Sequence, residues 1–181
     1  MGHEVAVTPL QMVMAMSAIA NDGVLMRPNI VDRLVDDKGV VVYRSEPQPV
    51  QRVISHAAAL QMISALETVV STNGTGFRAK LDYYQVAGKT GTAQKPGAGG
   101  YLPGKYFSSF IGFFPAERPE LCISVVLDEP KSGYYGGDVA APVFKRIAER
   151  VANYLAMPPS KMPKEILASN REGKQIVRAS D

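Results

Sequence analysis

Gly88-Lys89-Thr90-Gly91-Thr92 is the stretch whose residue types and spacing could do chemistry. On the edge of a strand, Lys89 presents a cation to a carboxylate and the Thr90 hydroxyl adds a hydrogen bond. Gly91 lets another backbone approach closely. A backbone N–H just beyond, at Thr92, can stabilise an oxyanion. The same residues could also end a phosphate-binding loop, G-x-x-x-x-G-K-[ST]. The first glycine of that loop should stand at position 83, which holds Tyr83. The segment also runs on into strand-like sequence and not into a helix, so phosphate binding is disfavoured. Alone, a Lys-Thr-Gly triplet is equally compatible with a solvated lysine beside a turn.

The flanking sequence supplies elements that could hold this stretch. Thr8 reads as an N-cap and Pro9 as the first residue of a helix. Leu10, Val13, Met14, Met16, Ile19 and Ala20 form its apolar stripe, and Asn21-Asp22-Gly23 stops it. Residues 29–44 read as a hairpin around Asp36-Asp37-Lys38-Gly39. A proline-bearing link, Pro47 to Pro49, leads to a short strand at Val53-Ile54. Ser55 caps a second helix, with Leu60, Ile63, Leu66, Glu67 and Val70 at helical spacing and Asn73-Gly74 at its end. From there the pattern turns to strands. Tyr84 to Thr92 is one, and Lys95 to Gly104, rich in Gly and Pro, reads as a mobile loop. Phe107 to Phe114 and Leu121 to Leu127 form a second hairpin. The apolar run Ile123–Leu127 suggests a strand covered on both faces. A loop, Ser132 to Gly137, leads to a third helix with Val139, Val143, Ile147, Val151 and Leu155 as its stripe. Residues 158–181 read as a polar, solvated tail.

Composition narrows the function classes. The chain has 181 residues, 46% hydrophobic and 20% charged, as expected of a globular domain. Twenty Lys and Arg against 17 Asp and Glu give a net charge of +3, too small and too scattered to argue for nucleic acid. One cysteine and two histidines, Cys122, His3 and His56, make no typical zinc site, so no metal is expected. Cys122 reads as a small buried hydrophobe. No apolar run approaches the roughly 20 residues of a membrane span, and Met1-Gly2-His3-Glu4 does not open like a signal peptide.

In this context the Lys-Thr-Gly triplet resembles the K-T-G element of the penicillin-recognising serine acyltransferases. More of the chain supports the likeness. Val7-Thr8-Pro9-Leu10-Gln11, the run Ala18 to Val24, and Arg27-Pro28 look like the helix and turn ahead of K-T-G in class B penicillin-binding proteins. Val69-Val70 with Gly74-Thr75-Gly76 and Ala79 resembles their V-V-x-x-G-T-G segment. Val86 to Gln94 is close to their full strand motif. Ser109 to Phe113 with Pro115-Ala116 resembles the next strand. Tyr135-Gly136-Gly137 with Ala140 to Phe144 resembles the entry to the last helix. Residues 3 to about 157 are thus similar, in order, to the C-terminal part of that family's transpeptidase domain.

The resemblance implies an α+β fold, an antiparallel sheet flanked by helices, of which this chain would hold the last three of five strands. The first strands and the nucleophile helix would be missing. It implies a peptidoglycan D,D-transpeptidase whose serine is acylated by a stem peptide or a β-lactam. Lys89 and Thr90 would hold the substrate carboxylate. Thr92 would add a hydroxyl contact and its N–H to the oxyanion hole, and Gly91 would give access. No cofactor is implied. Divisome or elongasome proteins would be partners, and the enzyme would work outside the cytoplasmic membrane on an N-terminal anchor.

The nucleophile is not found in this stretch. No serine is followed by lysine three residues later, as S-x-x-K requires. Ser71-Thr72-Asn73 spells the family's S-x-N but falls inside the G-T-G match, so Ser71 reads as a helix-end residue. Both serine motifs are expected upstream of Met1, and the chain alone is expected to be inactive. The contrasting reading is a nucleophile-free binding module or relic. D,D-carboxypeptidase, β-lactamase and β-lactam sensor fit K-T-G alone, but the flanking motifs look like class B transpeptidases. Tyr134, Tyr135, Gly136 and Gly137 are expected near the cleft, and the loop Gly97 to Gly104 along its border.

Overall fold

A computed structural model describes residues 5–161. The first helix, α1 (Pro9–Ala20), begins as its sequence dictates. The Thr8 hydroxyl accepts from Gln11 N at 3.2 Å, and the Gln11 side chain accepts from Thr8 N at 2.8 Å, a reciprocal cap. Strand β1 (Val24–Met26) follows at once and pairs antiparallel with β4 (Pro49–Arg52). This small sheet differs from the expected strand at Val53-Ile54: pairing ends at Arg52, and Pro49 opens the strand, where its missing N–H costs no ladder bond. Between them, β2 (Arg33–Val35) and β3 (Val41–Arg44) form the expected hairpin, though Ile30 and Val31 lie outside it. The Asp36 carboxylate holds its turn by accepting from Lys38 N and Val40 N, and Gly39 takes φ +79°.

A polar clamp joins the turn after α1, β4 and the next helix, α2 (His56–Val69). Asp22, at φ +56°, accepts from Arg52 Nη2 at 3.2 Å and is hydrogen-bonded to His56 Nδ1. Those two bonds, His56's first, hold the Asp22 carboxyl below its ordinary value. The folded chain therefore releases this proton more readily than the unfolded one. The clamp stabilises fully above the ordinary carboxylate range and fades as pH falls through the depressed value. Asp22→Asn is expected to flatten the fall of melting temperature below about pH 4. An unchanged acid limb would show that the clamp adds no stability.

The main sheet comprises β5 (Ala87–Gly97), β6 (Gly100–Phe114) and β7 (Leu121–Asp128), antiparallel in that order. The segment Lys95–Gly104, expected as a mobile loop, is instead the tip of the β5–β6 hairpin. Its register runs to Pro96↔Tyr101 and Gly97↔Gly100, with a shift between Gln94 and Pro96. The glycines supply the tight turn, at φ +86° for Gly99 and +144° for Gly100, and Pro96 stands at the irregularity on an outer strand. The sequence signal of turn residues was real; two extended arms ran through it.

Helices cover both faces. On one, Phe110, Phe114 and Val125 pack with Val70, Leu81, Tyr84 and Val86 against the last helix, α4 (Ala141–Tyr154). Phe144 meets Phe110 edge-on with centroids 4.8 Å apart. On the other, Ala87, Ile111 and Phe113 meet Met16 of α1 and Leu66 of α2. The strand covered on both faces is thus the central β6, where Phe110, Phe113 and Phe114 are fully buried. In β7, where that was expected, only Val125 is buried and Val126 is 43% exposed, while Leu121, Ile123 and Leu127 pack half-buried against the Phe110 core.

The face of α4 also differs from the expected stripe. Ala141, Phe144, Ala148 and Ala152 are buried, while Ile147 and Leu155 stand out in solvent. Alanines let the helix approach the sheet closely around Phe144, while Val143 packs at the edge of that core and Val139 and Val151 are half-buried. Leu10, Met12, Leu60 and Met62 are exposed in the same way on α1 and α2. The chain after α4 does not leave the surface at once: Ser160 N and Lys161 N both donate to Tyr83 O at 3.0 Å. The rest of the expected tail, residues 162–181, lies outside the described residues.

Candidate functional site

The Lys89 segment is the middle of β5, an outer strand of the sheet. Alternation splits its residues between two faces. Lys89 and Gly91 stand opposite Ile111 and Ser109, whereas Thr90 and Thr92 stand opposite Phe110 and Ser108. Lys89 is exposed, and its ammonium donates to Thr90 O at 3.0 Å. Among the described residues it has no carboxylate partner. Lys95, six residues on, contrasts with it by pairing with Asp128 at 2.8 Å and Glu129 at 2.9 Å. The hydrogen bonds its ammonium donates to Asp128 and then Glu129 raise the Lys95 pKa. Lys105 pairs with Glu129 as well, so the arm beyond the site is tied to the end of β7.

Two turns grip the threonines. The first follows α2. Gly76 N donates to Val69 O at 2.8 Å and Gly74 N to Ser71 O at 2.9 Å, which brings Thr75 over the strand. The Thr75 and Thr90 hydroxyl oxygens are 3.0 Å apart. The second turn leads into α3 (Gly136–Val139), where Gly136 N donates to Thr92 Oγ1 at 3.1 Å. Both glycines there are required by contact. A Cβ at Gly136 would lie 2.2 Å from Ser109 O and 2.4 Å from Gly91 O, and one at Gly137 would lie 2.0 Å from Thr75 O. The segment Tyr134–Gly137 therefore lies on the strand, as expected of a loop bordering it.

Beneath these turns the Phe110 ring fills space that glycines leave. Added Cβ atoms at Gly76 and Gly88 would come within 2.8 and 2.6 Å of it. Gly91 has a packing reason besides access, since its Cβ would stand 2.4 Å from Ser109 Oγ. Beside Thr92, Tyr134 stacks on Tyr106 at 4.6 Å and 18° and lies 4.4 Å from Tyr135. The Ser108 hydroxyl donates to Tyr134 O, which fixes this aromatic row to β6. Tyr106 had no signal in the sequence: one tyrosine on a strand gives no hint of which loop will stack on it.

Other candidates fall away from this strand. Ser71 Oγ donates to Thr68 O at 2.7 Å, the bond of a residue finishing a helix, as read from its position. Cys122 is half-buried, and burial pushes its thiol pKa up, which suits a packing residue and not a nucleophile. The arrangement offers a cation without a carboxylate partner among the described residues, two oriented hydroxyls and an outer strand's backbone. That set is fitted to hold a carboxylate and an extended backbone beside it.

This mixed fold of helices on an antiparallel sheet matches part of the penicillin-binding transpeptidase domain. Penicillin-binding protein 3 of Mycobacterium tuberculosis, solved in complex with ampicillin, superposes with a TM-score of 0.76 at 33% identity, over 90% of this chain and 38% of that one. Residues 1–149 match the model of the penicillin binding protein transpeptidase domain. The chain belongs to that family. It is 41% identical over 162 residues to stage V sporulation protein D of Bacillus subtilis, covering 88% of this chain and 25% of that protein. It is 34% identical to the "Probable peptidoglycan D,D-transpeptidase PenA" of Neisseria flavescens, covering 88% of this chain and 38% of that protein. The chain thus spans between a quarter and two fifths of the length of these relatives. The α+β fold and the likeness to class B penicillin-binding proteins expected from the motifs are both borne out.

Proposed function

We propose that residues 1–157 are the C-terminal portion of the transpeptidase domain of a peptidoglycan D,D-transpeptidase, with 158–181 as an appended segment. The full-length protein binds penicillin and cross-links stem peptides by serine acyl transfer. Lys89 and Thr90 hold the carboxylate of the stem peptide or β-lactam. Thr92 adds its hydroxyl and gives its N–H to the oxyanion hole, where the carbonyl oxygen gains charge on attack. Gly91 keeps the strand open to the substrate backbone. The serine nucleophile and its lysine lie upstream, so this chain alone is inactive. The enzyme acts at the extracytoplasmic face of the cytoplasmic membrane, on an anchor outside this chain, with divisome or elongasome proteins as partners.

The observation that carries this reading is the exposed ammonium of Lys89 without a carboxylate partner among the described residues, on an outer strand whose neighbouring hydroxyls are gripped by two turns. The test uses the full-length protein and a fluorescent penicillin. A labelled band that survives denaturation is expected. A folded full-length protein that takes up no label would overturn the proposal.

A further inference from the structure

We propose that Thr75 is a positioning residue for substrate binding: its hydroxyl sets the direction in which the Thr90 hydroxyl donates to the substrate carboxylate. This rests on the carboxylate role proposed for Lys89 and Thr90 and adds a residue to it.

The two oxygens are 3.0 Å apart, so one hydrogen lies between them. A carboxylate only accepts, so Thr90 must give it its single proton. The line between the threonines must then be filled by the proton of Thr75. Thr75 donating to Thr90 thus leaves Thr90 one use for its own proton, outward to the substrate. Without that donor the Thr90 hydroxyl hydrogen can turn among its staggered positions, and binding must select one.

The turn around Thr75 is built to hold it there. Gly74 and Gly76 are bonded back to Ser71 and Val69, and a Cβ at Gly74 would lie 2.1 Å from Val69 O. Gly76 packs on the Phe110 ring, and Gly137 closes on Thr75 O from the far side. Thr75 itself is exposed, so its side chain is not a core contact and its removal leaves the packing intact.

The test measures the second-order rate of acylation of the full-length protein by penicillin and by the same penicillin with its carboxylate methylated. Thr75→Val and Thr75→Ala both remove the hydroxyl; Thr75→Ser keeps it; Lys89→Ala is the reference. The hydroxyl-free variants are expected to react about 3- to 10-fold slower with penicillin, the size of one neutral hydrogen bond. They should react with the ester at the unmodified protein's rate, and Thr75→Ser should restore the penicillin rate. Unchanged penicillin rates, alongside a slow Lys89→Ala, would overturn the role of Thr75 alone. Equal slowing with penicillin and ester would also overturn it, since a merely structural defect does not distinguish the two. A Lys89→Ala protein as fast as the unmodified one would overturn the carboxylate reading, and the role of Thr75 with it.

Discussion

Lys89→Ala in the full-length protein is expected to slow acylation by penicillin about 10- to 100-fold, the range of a hydrogen bond to a charged group. The expectation follows from what surrounds Lys89 and not from its charge alone. Lys95 on the same strand is neutralised by Asp128 and Glu129, so its loss would loosen the hairpin arm. Among the described residues Lys89 has no carboxylate partner, and its ammonium donates to the carbonyl of Thr90, a contact a substrate carboxylate can share. Its removal leaves no buried group unpaired, so folding should be nearly unchanged. The effect should shrink with the methylated penicillin, whose carboxylate is masked. A stopped-flow acylation rate within twofold of the unmodified protein would take Lys89 out of the site.

Gly136→Ala is expected to damage both stability and acylation. The added methyl would stand 2.2 Å from Ser109 O and 2.4 Å from Gly91 O, on the two paired strands. Neither atom is the free end of a side chain, so the loop must move, at a cost of about 1–3 kcal/mol. Moving it breaks the bond from Gly136 N to Thr92 Oγ1 and drags Tyr134 from Tyr106. Gly99→Ala is the control. Gly99 has φ +86° but nothing within 4 Å, so only backbone strain is felt there. Calorimetry should show a clear drop in melting temperature for Gly136→Ala, with slower acylation by penicillin. A Gly136→Ala protein that melts and reacts like the unmodified one would show that this loop does not support the strand.

Local rules made the element starts legible. Thr8 and Ser55 cap their helices through their own hydroxyls, and such bonds span only three residues. The turn at Asp36–Gly39 is local for the same reason. Burial was harder to read. The line Val139, Val143, Ile147, Val151, Leu155 has helical spacing, yet only Val143 of it packs on the core, because Phe144 and the alanines of α4 take the places closest to Phe110 and Phe114. Which strand is covered twice depends on sheet order, and order is set by contacts far apart in sequence. The strand Lys89–Thr92 could be picked out from its residues and from family likeness. That Thr75 would meet Thr90, and Gly136 meet Thr92, could not, since 15 and 44 residues separate those pairs.

The site of the ampicillin adduct in the full-length protein, located by proteolysis and mass spectrometry, decides whether the nucleophile lies outside this chain. One adduct is expected, on a serine outside the 181 residues of this chain, with every peptide from this chain unmodified. An adduct on a serine within the chain, Ser71 or Ser109 for example, would contradict it: the strand at Lys89 would then serve a nucleophile of its own.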